Sequence, residues 1–116
     1  MIPGRSGTPK LWRIHMPRKV LFLGAAGLIG PFITPELAKH CDLRLADVKP
    51  HPDGTAVEHV DVTSYEQVYE ASRGMDAIMN YTVVRGDETE SFRVNTIGAW
   101  HVMKAAAAHG ISKVLH

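Results

Sequence analysis

The sequence predicts an α/β fold built on a doubly wound parallel sheet, with five strands in the order 3-2-1-4-5 and a chain truncated after the fifth strand. Short, almost continuously apolar runs alternate with segments of helical periodicity, which is typical of parallel strands joined by right-handed crossover helices. The first apolar run leads directly into a glycine-rich turn that opens a helix. A length of 116 residues allows one domain with a buried core.

The individual elements follow from local patterns. The apolar runs predict strands at residues 19–23, 43–47, 56–62, 77–81 and 111–115. Helical spacing predicts helices at residues 28–40, 63–73 and 88–109. Pro35 is expected to weaken the first helix. Thr63 and Glu66 have the spacing of a capping box at the start of the second helix. Gly74 and Gly110 are placed to end the second and third helices.

Residues 1–18 are predicted to be a disordered basic leader, because they contain three prolines, two glycines and no apolar period. They lack the apolar stretch of ~7–15 residues that a secretory signal needs. Their basic character leaves a mitochondrial-type transit peptide open. We favour the alternative that the natural start is Met16 rather than Met1. Residues 19–116 are predicted to form the folded domain, which is incomplete because the chain is truncated after the fifth strand.

Composition narrows the function classes. Beyond residue 19 the chain has 8 basic and 12 acidic side chains, and this acidic body argues against nucleic acid as a partner. No apolar run approaches the ~20 residues of a membrane span, so no membrane partner is expected. Cys41 has no second cysteine to pair with, and no metal-ligand cluster is present, so we expect a cytoplasmic protein without a metal site.

The glycine-rich turn predicts a dinucleotide site. Gly24 is expected to let the chain turn sharply out of the first strand, and Gly27 to let a pyrophosphate approach the backbone amides. Gly30 is expected to let the following helix pack closely on the sheet. The free N–H groups at the start of that helix would then face the phosphates.

Asp47 supports this interpretation, since it ends the second strand, where a carboxylate can accept hydrogen bonds from the adenosine ribose. The alternative is a purely structural turn with a surface aspartate. A carboxylate at this position would repel the 2′-phosphate of NADP, so NAD is the expected cofactor. Arg44 and Lys49 are close enough in sequence to keep NADP open as the less favoured choice.

The motifs together resemble the extended short-chain dehydrogenase/reductase family, the NAD-dependent epimerases and dehydratases. The glycine spacing G-x-x-G-x-x-G, the pair Asp61-Val62, the segment 75–82 and the helix segment 95–106 are similar to the family's signatures. Residues 43–47, Leu-Arg-Leu-Ala-Asp, also resemble uronate dehydrogenases within that group. The resemblance implies a Rossmann-type domain whose cofactor contacts are Gly24, Ala26, Gly27, Leu28, Ile29, Gly30, Asp47, Asp61, Val62, Tyr81 and Thr82.

The chain also departs from the family pattern. Leu23, the segment 80–82 and His101 differ from the residues usual in the family at these places. By resemblance Asn95 would belong to the active-site hydrogen-bond network, and the alternative is a polar residue that bonds a neighbouring loop. The family's catalytic tyrosine, the lysine four residues later and the serine after the fifth strand have no counterparts in the 116 residues.

Three hypotheses for the function therefore stand. The favoured one is the NAD-binding portion of an NAD-dependent sugar epimerase, dehydratase or dehydrogenase, whose small-molecule substrate is a sugar or nucleotide sugar and which is inactive as this chain alone. The others are a non-catalytic NAD-binding or regulatory module and a non-functional fragment. An unpaired sheet edge and uncovered helix faces further predict a homo-oligomer.

Overall fold

The structure, a computed structural model, describes residues 18–116. The predicted leader therefore lies outside the described residues except for Arg18. Within the described part of the chain, no helix has both the length and the apolar character needed to cross a membrane.

The described residues form a five-stranded, fully parallel sheet in the order β3-β2-β1-β4-β5, which confirms the predicted fold. The strands are β1 (Lys19–Leu23), β2 (Asp42–Asp47), β3 (Glu58–His59), β4 (Ala77–Asn80) and β5 (Lys113–Leu115). The connecting helices are α1 (Gly30–Leu37), α2 (Tyr65–Ser72), α3 (Glu88–Phe92) and α4 (Gly98–His109). A π-helical segment, Arg93–Ile97, joins α3 to α4 without a break.

Two elements, α1 and β3, differ most from their predicted bounds. The helix α1 is shorter at both ends, since Leu28 and Ile29 still belong to the turn that leaves β1. The edge strand β3 keeps only Glu58–His59, because its pairing is confined to the last two residues of β2. The apolar residues that follow β3 are buried by side-chain packing instead of by strand pairing.

The predicted cap of α2 is wrong by one residue. Ser64 is the N-cap, and its hydroxyl accepts a hydrogen bond from the Gln67 N–H at 3.4 Å. The Gln67 side chain reaches back to accept from the Asp61 N–H at 2.8 Å. Thr63 instead donates its hydroxyl to the Asp61 carboxylate at 2.7 Å. The helix nevertheless ends beside Gly74, whose φ of +77° few other residues adopt.

The main core lies between the sheet and the helices α2 and α4. Leu21, Ile78, Val68 and Val102 are almost completely buried there. Gly98 begins α4 at the point of closest approach, since a Cβ at this position would stand 2.5 Å from a methyl group of Val62. The start of α4 is thereby held against the segment that follows β3.

The amino end of the sheet is held by one carboxylate. Asp76 accepts hydrogen bonds from the main-chain N–H groups of Arg18 and Lys19, at 3.0 and 2.9 Å. These bonds, with the Lys19 bond contributing most, lower the pKa of Asp76. The start of β1 is therefore anchored to the residue that precedes β4.

Gly24 and Gly54 provide a matched test of close packing, because both have a φ of +81° but only Gly24 is crowded. A Cβ on Gly24 would lie 2.6 Å from the carbonyl carbon of Tyr81, whereas a Cβ on Gly54 would meet nothing within 4 Å. We expect Gly24→Ala to lower the free energy of unfolding by about 1–3 kcal/mol more than Gly54→Ala does. Urea unfolding of both variants measures this difference, and equal losses would contradict the close approach.

Asp76 also predicts a pH dependence of stability. Because its pKa is lowered in the folded state, its contribution is fully present above the unfolded pKa of about 4 and is lost as the pH falls through the folded value. The melting temperature of Asp76→Asn should therefore lie below that of the wild type at pH 7. The gap should close as the pH falls below about 4. A gap that stays constant between pH 7 and 2 would be inconsistent with this anchor.

Candidate functional site

The glycine-rich turn after β1 is tied to the end of β2. The N–H groups of Gly24 and Ala25 both donate to the Ala46 carbonyl, at 2.9 and 3.1 Å. Gly27 closes the turn by donating to the Gly24 carbonyl at 3.1 Å. A Cβ on Gly30 would overlap the carbonyl of Ala25, so this glycine lets α1 start directly against the turn. The glycine spacing thus produces a tight turn whose shape is set by backbone contacts.

Asp47 completes this arrangement from β2. One carboxylate oxygen accepts from the Ala26 N–H at 2.9 Å, and the other accepts from Val48 and Lys49 at 2.7 and 3.2 Å. The residue is only 9% exposed. Since a carboxylate has about four acceptor positions, three backbone donors leave capacity for one more. Asp47 therefore holds the turn in place and retains room for a ligand hydroxyl.

The turn has unused hydrogen-bond donors on its other side. Among residues 18–116, no acceptor meets the main-chain N–H groups of Leu28 and Ile29, and no side chain caps α1. Pro31, inside the first turn of α1, has no N–H to satisfy. These free N–H groups and the positive end of the helix dipole together form an environment suited to an anion.

A cleft of about 480 Å³ runs along the turn, between the end of β2 and the loop after β4. Most of the residues predicted to contact a cofactor line it, namely Gly24, Gly27, Leu28, Ile29, Gly30, Asp47, Tyr81 and Thr82. Ala26 lies behind the surface of the cleft, where its N–H holds Asp47. The sequence thus brings eight predicted contacts into one cleft.

Asp61 and Val62 do not line this cleft. Hydrogen bonds from Thr63, its hydroxyl contributing most, lower the pKa of Asp61, with a smaller contribution from the positive charge of Arg93. Val62 is buried under α4, and its carbonyl accepts a hydrogen bond from His101 at 2.8 Å. Both residues have partners within the protein, and their proposed place beside a cofactor stays a prediction.

The residues after β4 form the wall of the cleft opposite Asp47. The Tyr81 ring packs edge-on against the buried Phe22, with 5.4 Å between ring centres. Asn80 accepts from the Thr82 N–H at 3.2 Å, and its amide nitrogen lies 3.3 Å from a ring nitrogen of His116. The side chains of residues 80–82 are therefore held in place by contacts within the protein.

Asn95 bonds the loop that continues from this wall. Its amide accepts from the Val84 N–H and donates to the Val84 carbonyl, both at 3.1 Å. This is the loop contact given above as the alternative to a place in an active-site network. The other described tyrosines, Tyr65 and Tyr69, pack against histidines of α4 and do not line the cleft.

Three basic residues near the cleft differ in where they lie. Arg44 turns to the other side of the sheet, where it donates to the Ala71 carbonyl at 2.8 Å. Lys49 lines the cleft beside Asp47, and Arg85 lines it in the loop after β4. Val83, Val84 and Arg85 of this loop were not among the residues predicted from the sequence. Their position could have indicated them, since they follow a strand at the carboxyl edge of a parallel sheet, where ligands bind.

Comparison with known proteins agrees with this geometry. Residues 20–116 match the model of the NAD dependent epimerase/dehydratase family. Uronate dehydrogenases from Pseudomonas putida and Pseudomonas syringae pv. tomato are 30% and 28% identical over 104 residues. Each alignment covers 84% of this chain. The chain spans 39% and 38% of the length of these two relatives.

Solved structures give the same result. A uronate dehydrogenase from Agrobacterium tumefaciens matches with a TM-score of 0.72 and 27% identity, over 80% of this chain and 37% of that one. A mutant of that enzyme complexed with NAD matches equally well. MoeE5 in complex with UDP-glucose and NAD shares the fold, with a TM-score of 0.73 at 23% identity over 83% of this chain and 34% of that one. The chain belongs to the NAD-dependent epimerase/dehydratase family.

Proposed function

We propose that residues 19–116 form the NAD-binding part of an NAD-dependent oxidoreductase or epimerase that acts on a sugar. The observation that carries this proposal is the Asp47 carboxylate, hydrogen-bonded to the Ala26 N–H beside a turn with free N–H groups. A hydroxyl acceptor next to an anion-binding turn matches the ribose and pyrophosphate of a dinucleotide.

The residues of the cleft fit this cofactor. The free N–H groups of Leu28 and Ile29 would bind the pyrophosphate, and the lack of a side chain at Gly27 leaves the approach open. The unused acceptor capacity of Asp47 would take a ribose hydroxyl. Tyr81 and Thr82 would border the cofactor on the β4 side. When bound, NAD supplies the acceptor for a hydride.

NAD suits the site better than NADP does. Asp47 would repel a phosphate on the neighbouring ribose oxygen, and Arg44 is occupied on the other side of the sheet. Lys49 is the basic residue that lines this end of the cleft, and its ammonium would have to offset the carboxylate. We therefore infer a preference for NAD.

A sugar acid is the substrate class that we favour. The named relatives at 27–30% identity are uronate dehydrogenases, and residues 43–47 carry the pentapeptide noted above. In this chain no tyrosine is followed by lysine at the fourth position. The family resemblance implies that a tyrosine with a lysine four residues later moves the proton that accompanies hydride transfer, so we expect these 116 residues alone to bind the cofactor without turnover.

Cofactor binding is the first test. We expect NAD to raise the melting temperature and to be bound about tenfold or more tightly than NADP, because only NADP brings a phosphate against Asp47. Isothermal titration calorimetry with both dinucleotides measures the ratio. If neither dinucleotide binds a folded chain, the proposed function is wrong. Equal affinities for NAD and NADP would contradict the inferred preference for NAD but not the proposed dinucleotide site.

Asp47 variants test the ribose contact. We expect Asp47→Ala to weaken NAD binding by about 1–3 kcal/mol, since a hydroxyl loses a charged acceptor and the turn loses the Ala26 anchor. Asp47→Asn separates the effects, because an amide keeps one oxygen for the backbone donors but removes the charge. Its NADP affinity should rise relative to NAD. Asp42→Asn, exposed at the opposite end of β2, is the matched control. Unchanged NAD affinity in Asp47→Ala would exclude this role.

A further inference from the structure

The loop between β4 and α3, residues 81–87, contains a charged group that the proposed ribose and phosphate contacts do not use. Arg85 lines the cleft in this loop. The sheet order places β1 between β2 and β4, so Arg85 and Asp47 lie on opposite sides of the glycine-rich turn. A ligand that has its ribose at Asp47 and extends along the turn would reach the loop with its other end.

The backbone on both sides of Arg85 is held in place. Before it, Val84 is fixed through its N–H and its carbonyl by the Asn95 amide, at 3.1 Å each. After it, Gly86 has a φ of +103°, a conformation that few side chains allow. Asp87 then caps α3 by accepting from the Glu90 N–H at 2.7 Å. The guanidinium is thus presented from an anchored loop.

Asn95 reaches this loop from an unusual segment. It lies in the π-helical stretch Arg93–Ile97, where the register of the long helix is locally changed. A π-helical turn is a rare feature that is frequent at functional sites. The local change in register accompanies the contact with Val84, 11 residues earlier in the chain.

The Arg85 side chain differs from those of Arg44, Arg73 and Arg93 in having no partner among the described residues. Arg73, directly after α2, pairs with Glu70 at 3.0 Å, and Arg93, at the start of the π-helical segment, pairs with Glu90 at 2.8 Å. Arg44 donates to a main-chain carbonyl. Among residues 18–116, no carboxylate and no carbonyl accepts from the Arg85 side chain. A guanidinium has five N–H donors in a planar fork that matches carboxylate and phosphate oxygens.

We propose that Arg85 binds an anionic group of the ligand at the end of the cleft away from Asp47, and that Asn95 is the positioning residue that holds its loop. The anion is a planar or tetrahedral oxyanion from one of two sources, the pyrophosphate of the dinucleotide or the carboxylate of a sugar acid. This inference rests on the proposed function, since it assumes a dinucleotide whose ribose lies at Asp47.

The experiment compares Arg85→Gln with Arg73→Gln, because Arg73 is an exposed arginine directly after α2 and does not line the cleft. Calorimetry measures binding of AMP, ADP-ribose and NAD, and then binding of a uronate and of its neutral parent sugar to the NAD-saturated protein. If the pyrophosphate is the source, Arg85→Gln binds ADP-ribose and NAD roughly tenfold more weakly and AMP unchanged. If the carboxylate is the source, only the uronate loses affinity, again roughly tenfold.

The outcomes separate the two proposals. Unchanged affinity of Arg85→Gln for every ligand that the wild type binds would overturn the role of Arg85 and leave the proposed function standing. If the wild type binds none of AMP, ADP-ribose and NAD, both proposals fall. In each supporting case Arg73→Gln binds like the wild type.

A double-mutant cycle tests the positioning role. If Asn95 acts through Arg85, Asn95→Ala weakens the same ligand as Arg85→Gln does, and the double variant loses no further affinity. If Asn95 has only a structural role, its effect on affinity adds to that of Arg85→Gln. Asn95→Asp, which keeps the acceptor for the Val84 N–H but not the donor to its carbonyl, should lie between the wild type and Asn95→Ala. Additive losses would exclude the positioning role.

Discussion

The hydrogen bond between the Asp47 carboxylate and the Ala26 N–H, 2.9 Å long, is the interaction on which the candidate site depends. Together with the two bonds to the Ala46 carbonyl, it fixes the turn after β1 against the end of β2. Ala26 therefore cannot turn its N–H toward a ligand, and the free donors of the turn are those further along, at Leu28 and Ile29. The same buried carboxylate accepts from two more N–H groups, so its position is set by the backbone before any ligand arrives. A site that is already arranged loses less conformational entropy when it binds.

Much of the fold could be predicted because its signals are local and mutually consistent. Apolar runs and the glycine-rich turn determine the first strand and its exit, and Gly110, with a φ of +71°, ends the long helix where expected. The errors occurred where two neighbouring residues have the same chemistry or where burial does not require strand pairing. Thr63 and Ser64 are both good N-caps, and only the contact with Asp61 makes Thr63 unavailable. Val60 and Val62 are apolar because they meet the core, although they do not belong to the edge strand.

Site residues could be predicted where one sequence motif includes several of them. They could not be predicted where they depend on hydrogen bonds between distant parts of the chain. The glycine spacing by itself placed Gly24, Gly27 and Gly30 around one turn. In contrast, the bond from His101 to the Val62 carbonyl spans 39 positions, and nothing in either segment indicates it. Arg85 lies in a short loop without periodicity, so its importance depends on the strand order and on the Asn95 contact. In loops at the carboxyl edge of a parallel sheet, sequence patterns therefore give the least information about which residues line a site, and the strand order gives the most.

The distribution of charge along the cleft gives the strongest reason to treat its parts as one site. A carboxylate at Asp47 disfavours an anion at one end, unpaired N–H groups favour one in the middle, and a guanidinium favours one at the other end. A ribose hydroxyl at Asp47 followed by a pyrophosphate at the free N–H groups, as the proposed function requires, matches this sequence of environments. The order of the strands, which places β2 and β4 on either side of β1, therefore determines which of these environments lie at the two ends of the cleft.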